Sequence, residues 1–180
     1  MEENGTRHTD PHSLRETAER YEVIDGVMYD MTPPPSTLHQ RAVVGLTVQL
    51  ANHFHGTPCQ VFAAPFGVWL TENADEHVEP DVLVICNPDI IVEKGAVGPP
   101  DLVVEVISPA TAAKDKGVKW QLYRRTGVRE YWIVDPHHQT VDVWLFHKDP
   151  ADQPRVYGKN DTLRSMSFEN LTIRLSEIFP

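Results

Sequence analysis

The apolar positions of this chain come in short runs broken by polar, proline and glycine punctuation, and their period changes along the sequence. In "RYEVIDGVMYDM" two short apolar segments flank Asp25-Gly26, a pair suited to the positive φ of a two-residue turn, so the pattern predicts two antiparallel strands. "TPPPSTLHQRAVVGLTVQLANHFHG" begins with a proline stop, offers Ser36 or Thr37 as N-cap, and sets Val43, Leu46, Leu50 and Phe54 at steps of three and four before Gly56. That is the helix period with a glycine stop.

Downstream, "CQVFAAPFGVWLT", "EPDVLVIC" and "DLVVEVIS" are β-rich runs bounded by Pro, Gly and Asn, and predict successive strands. "AAKDKGVKWQLYRRTG", after Thr111 as a possible cap, predicts a helix closed by Gly127; the internal Gly117 weakens it by about 1 kcal/mol. "EYWIVDP" and "TVDVWLF" give two more strands joined by a turn, and "LTIRLSEIF" a short strand or turn. The order hairpin, helix, strands, helix, two strands predicts an α/β sandwich with a mixed central sheet flanked by helices.

With 180 residues, 41% of them hydrophobic, the chain has enough material for one domain with its own core. Residues 1–12 hold no aliphatic side chain beyond Met1, so they are expected to form a disordered tail ahead of a single domain over 13–180. Sixteen Lys and Arg stand against 26 Asp and Glu, a net charge of -10 that disfavours polyanions at long range unless the basic residues cluster, as "KDKGVK" and Arg124-Arg125 could. Cys59 and Cys86, 27 positions apart and in no CxxC pair, suggest neither a zinc knuckle nor a disulfide framework. No apolar run reaches membrane-spanning length, so the expectation is a cytoplasmic protein with no membrane contact.

One residue breaks the pattern. Glu105 lies among Val103, Val104, Val106 and Ile107 in "GPPDLVVEVISPAT", where both faces of the strand read as covered. A bare carboxylate there would be desolvated and take up a proton unless a cation or donors compensate. Asp81 opens another β run, and neighbouring strands lie about 4.8 Å apart, close enough for two carboxylates to share a hard cation. Asp101 lies too far along the Glu105 strand to join them and reads as a strand-start residue. Lys119 is the candidate positive group, because the second helix follows the Glu105 strand through a short link and must pack back on the sheet. Lys116, Trp120 and Tyr123 share its side at spacings of three and four.

These residues carry a resemblance. "YEVIDGVMYDM", "EPDVLVI", "GPPDLVVEVISPAT" and "KDKGVKWQLYRRTGVREYWIVDP" resemble the Uma2 family, a domain-of-unknown-function group placed among restriction endonucleases in the PD-(D/E)XK nuclease superfamily. The similarity runs from about residue 21 to 146, with the block 98–136 the most specific. It implies a restriction-endonuclease-like core, with Asp81 as the motif aspartate and Glu105 as the acid of the (D/E)XK element. The superfamily lysine belongs two positions after the acid, where this chain has Ile107; the family pattern moves it to the following helix, at Lys119. The resemblance also points to Glu22 and His39.

The activity so implied is endonucleolytic hydrolysis of phosphodiester bonds in DNA. Mg²⁺, with Mn²⁺ as substitute, would be held by Asp81, Glu105 and the backbone carbonyl of Val106, with Lys119 orienting water or steadying charge, and His39 and Glu22 completing the site. The alternative is a catalytically idle, homodimeric binding or assembly module that keeps the fold and uses the acids structurally; net charge favours it, and the joint presence of Asp81, Glu105 and Lys119 favours the nuclease. His53 and His55 point about 200° apart on a helix and mark its end rather than a chelate.

Overall fold

Asp25 (φ 53°) and Gly26 (φ 73°) turn the chain between strands β1 (Tyr21–Ile24) and β2 (Val27–Asp30), the predicted hairpin. The structure is a computed structural model in which residues 20–31, 34–71, 76–146 and 153–179 are described; the expected tail over 1–12 lies outside them. Helix α1 (Thr37–Phe54) starts at Ser36, whose Oγ accepts from His39 N at 3.2 Å, and the chain leaves it through Gly56 at φ 77°. Its buried stripe is Ala42, Val43, Leu46, Leu50 and Phe54, as the helix period required.

The following strands are β3 (Gln60–Ala63), β4 (Gly67–Trp69), β5 (His77–Val78), β6 (Val82–Ile85), β7 (Ile91–Val92), β8 (Gly95–Val97) and β9 (Leu102–Val106). A helical crossover comes next: α2 (Ala112–Lys114), a π-helical turn (Asp115–Lys119) and α3 (Trp120–Thr126), closed by Gly127 at φ 99°. β10 (Glu130–Asp135), β11 (Thr140–Leu145), β12 (Arg155–Gly158), β13 (Thr162–Arg164) and β14 (Thr172–Arg174) complete the order.

The central sheet runs β12-β11-β10-β9-β6-β3 and is mixed, since β9 and β10 are parallel while the other neighbours are antiparallel. Parallel neighbours need a crossover, and here it is the α2–α3 segment, which must fold back over the strands it joins. A second six-stranded sheet, β2-β1-β5-β4-β8-β7, and a β13–β14 pair stand apart from it. The architecture is therefore mixed α/β, with a second sheet that the sequence pattern does not announce.

Two cores result. On one face of the central sheet, α1 and the C-terminal segment pack on Val82, Val84, Leu102, Val104 and Trp132. On the other, the second sheet and α3 enclose Leu83, Ile85, Val103, Tyr131 and Ile133 with Val68, Leu122 and Tyr123. Each such side chain contributes roughly 1.5–3 kcal/mol of burial.

Two expectations need correcting. "CQVFAAPFGVWLT" is split at a cis Ala64-Pro65 bond, β3 joining the central sheet and β4 the second one. Cys59 and Cys86, taken as unpaired, form a disulfide. The register Gln60↔Ile85 sets them opposite each other across β3 and β6, a pairing invisible in their spacing. The pairing therefore lends no support to the cytoplasmic expectation. Among the described residues no helix is long and apolar enough to cross a membrane.

Candidate active site

The crossover brings Lys119 onto the face of β9 that carries Glu105. Glu105 is 4% exposed, and its Oε1 accepts from Lys119 Nζ at 2.8 Å and from Tyr123 OH at 2.7 Å. Lys119 is itself buried and lies 2.6 Å from Glu22 Oε1 and 3.8 Å from Asp115 Oδ1. Glu22, fully buried on β1, spends its other oxygen on Lys114 Nζ at 2.6 Å, while Oε1 also accepts from Glu79 N at 3.2 Å.

Asp81 immediately precedes β6, and the register Val82↔Val104 sets it opposite Glu105, as strand adjacency suggested. Its Oδ2 accepts from Val106 N at 2.8 Å and meets His39 Nε2 at 3.1 Å. The backbone explains the first contact. Ile107 N bonds Val134 O on the β10 side, leaving Val106 N on the β6 side, where the ladder has run out and a carboxylate satisfies it instead. His39 reaches Asp81 from the first turn of α1, and its Nδ1 is buried with no hydrogen-bond partner among the described residues.

Three carboxylates, Glu22, Glu105 and Asp115, thus meet the ammonium groups of Lys114 and Lys119, while Asp81 pairs with His39 beside them. Burial pushes Glu105 up to about 8 against the pull of Lys119, and Asp115, Asp81 and Glu22 push the same way. Glu22 goes the other way: burial works to raise it, but Lys119 and Lys114 prevail and hold it below the ordinary carboxylate value. Burial alone would lower Lys119; Glu105, Glu22 and Asp115 outweigh it and keep the ammonium protonated. Burial also works against a charged His39, yet Asp81 raises it.

The structure therefore gathers Glu22, Glu105 and Lys119 into one network and joins Asp81, His39 and the Val106 N–H in an adjacent one. Asp101 stands outside both: Oδ2 accepts from Cys86 N at 2.8 Å and Oδ1 pairs with Arg129 at 3.1 Å, tying strand ends together. Lys116 is exposed rather than on the site's side of the helix. Sequence reasoning missed Lys114 and Asp115, and saw Tyr123 only as a flank; "KDKGVK" held the signal, but not the wide turn that selects among its charges. Of the basic residues in that stretch and at Arg124-Arg125, three are already committed to acids among the described residues. Arg125 is tied to Asp25 at 2.7 Å and to Glu76 at 2.5 Å, and Lys114 and Lys119 are tied to Glu22.

Among the described residues no three His, Cys, Asp or Glu side chains form a ready-made metal cage. What they offer is hard oxygen donors on neighbouring strands, Asp81 and Glu105, of the kind a divalent cation takes.

Comparison with known proteins defines the class first. The fold matches the crystal structure of a "putative nuclease belonging to DUF820" from Anabaena variabilis, with a TM-score of 0.71, 20% identity, and coverage of 88% of this chain and 89% of that one. A family model described as "Putative restriction endonuclease" matches residues 9–176, and the chain belongs to that family, Uma2. Relatives include two uncharacterized proteins of Synechocystis sp. One, slr1290, is 32% identical over 73% of this chain and 67% of its own length; the other, sll1609, is 27% identical over 70% and 75%.

Proposed function

We propose that this protein is a divalent-metal-dependent endonuclease that hydrolyses phosphodiester bonds in DNA, working at Asp81 and Glu105. The observation that carries the reading is the buried Glu105 set opposite Asp81 on the neighbouring strand, with Lys119 against it. Asp81, Glu105 and the backbone carbonyl of Val106 would hold Mg²⁺ or Mn²⁺, which suits hard oxygen ligands and retained waters. When bound, such a cation supplies polarisation of a phosphate oxygen and a more acidic water.

The chain's own residues do the rest. Lys119, fixed between Glu105 and Glu22, holds positive charge where the phosphate's negative charge develops. His39 and the Val106 N–H orient Asp81 through Oδ2. Glu22 places Lys119 rather than meeting substrate, since both its oxygens are engaged by lysines. With Lys114, Lys119 and Arg125 already paired to acids, few of the nearby cations are left to meet phosphates, and DNA affinity is expected to be weak and only shallowly salt-dependent.

The test is cleavage of supercoiled plasmid with Mg²⁺ or Mn²⁺, with a chelator, and by Glu105→Gln. Nicking that needs metal and disappears in the variant supports the reading; equal nicking by the variant, or none with any metal or duplex, overturns it. The second reading, an idle homodimeric assembly module, is favoured by Lys119 already closing Glu105. It predicts neither cleavage nor metal binding.

A further inference from the structure

Lys114 and Lys119 are five positions apart, and on a regular helix of 3.6 residues per turn they would point about 140° away from each other. Instead both reach one carboxylate, Lys114 at Glu22 Oε2 and Lys119 at Glu22 Oε1, each at 2.6 Å. The chain from Asp115 to Lys119 is π-helical, between α-helical turns on both sides. A turn bonded i→i+5 brings residues five apart toward the same side, and such turns recur at functional sites.

The partner surface is also built for two groups. Glu22 on β1 is paired in register with Tyr29 on β2, and the Lys114 ammonium lies 5.4 Å from the centroid of the Tyr29 ring. The hairpin therefore offers Lys114 a carboxylate oxygen and an aromatic face together. An ordinary surface ion pair has no such seat, and its acid is not fully buried as Glu22 is. Take Lys114 away, and a buried carboxylate oxygen loses the ammonium that compensates it.

We propose that Lys114 is a positioning residue for the reaction centre, acting through Glu22: the π turn and Lys114 fix Glu22 so that its other oxygen holds Lys119 against Glu105. The functional importance of this arrangement rests on the nuclease reading above; the arrangement itself does not. Lys114 pairs with Glu22, which pairs with Lys119, which pairs with Glu105, so its effect passes through one carboxylate and one ammonium.

The experiment is NMR of the full chain labelled with ¹⁵N-lysine, following the ammonium resonance of Lys119, which its burial should protect from exchange. In Lys114→Met that resonance is expected to shift or vanish while the circular dichroism is unchanged, and in Lys114→Arg to return. In a cleavage assay kcat should fall about tenfold or more in Lys114→Met, with KM within about twofold. An unchanged Lys119 resonance in Lys114→Met overturns the proposal.

Should Lys114→Met not fold, the wild type still decides. A through-space correlation between the Lys114 and Lys119 side-chain termini is expected, and its absence overturns the shared seat. Deleting Gly117 shortens the wide turn to an ordinary α turn and makes the two lysines an i,i+4 pair about 40° apart, so that correlation should survive; its loss would overturn the role given to the π turn. An unaltered Lys119 signal defeats this inference alone, and a wild type that cleaves nothing defeats the nuclease reading alone.

Discussion

Lys119 and Glu105, 14 residues apart in the chain, meet at 2.8 Å inside the protein, one on the crossover and the other on the strand it leaves. The pair is not self-sufficient. Lys119 also serves Glu22 and Asp115, so one cation answers three buried acids. Its loss is consequently a matter of stability as well as chemistry. Lys119→Met leaves those carboxylates without their shared partner and should destabilise the fold by about 3–5 kcal/mol, read as a lower urea midpoint. A loss within about 0.5 kcal/mol would mean that the acids are compensated elsewhere.

Glu105→Gln should do the opposite. The amide oxygen still accepts from Lys119 and Tyr123, while the cost of burying an ionisable carboxyl beside other acids, which raises Glu105, disappears. The variant is expected to melt higher than the wild type and to lose cleavage, the opposed signature of a functional site kept at the expense of stability. A lower melting temperature would make Glu105 a structural acid.

The same group sets a pH dependence. In the folded protein Glu105 titrates at about 8, against an ordinary 4.5, so the native state keeps a proton that the unfolded chain has released. The stability it contributes is present below about 4.5 and is lost as pH rises through about 8. Urea midpoints should fall between about pH 5 and pH 8 more steeply in the wild type than in Glu105→Gln. Parallel slopes would contradict the assignment.

Glu130 provides a contrast outside the site. It is fully buried and accepts from Trp132 Nε1 at 2.7 Å, Ser165 Oγ at 2.8 Å, Met166 N at 3.1 Å and Ser167 N at 2.7 Å, so one carboxylate organises the turn before β14. Glu130→Ala strands several donors and should cost roughly 3–5 kcal/mol, without altering metal affinity in whatever fraction remains folded. Weakened metal binding in the folded fraction would contradict this separation.

Much of the plan could be read in the sequence because its causes are local. Asp25-Gly26 makes its own turn, Ser36 caps its own helix, and Glu105 declares itself by sitting among valines. Lys119 followed from a short link to a helix that must pack back. What escaped notice depends on non-local register or on packing. Cys59 meets Cys86 only because β3 and β6 align there, and β3 parts from β4 because the chain changes sheets at Pro65. Lys114 and Asp115 join the site through a π turn that an even 3.6-residue period does not anticipate, and the same period wrongly placed Lys116 there.

The central claim is that Asp81 and Glu105 form a divalent-metal site, and calorimetric titration of Mn²⁺ into the wild type and into Asp81→Ala tests it most directly. The account predicts one saturable event in the wild type, lost in the variant, and tighter near pH 8 than near pH 6, roughly, because the cation displaces the proton on Glu105. Binding that survives in Asp81→Ala, or no binding to the wild type at either pH, would contradict it and leave the acids to Lys119 and His39 alone.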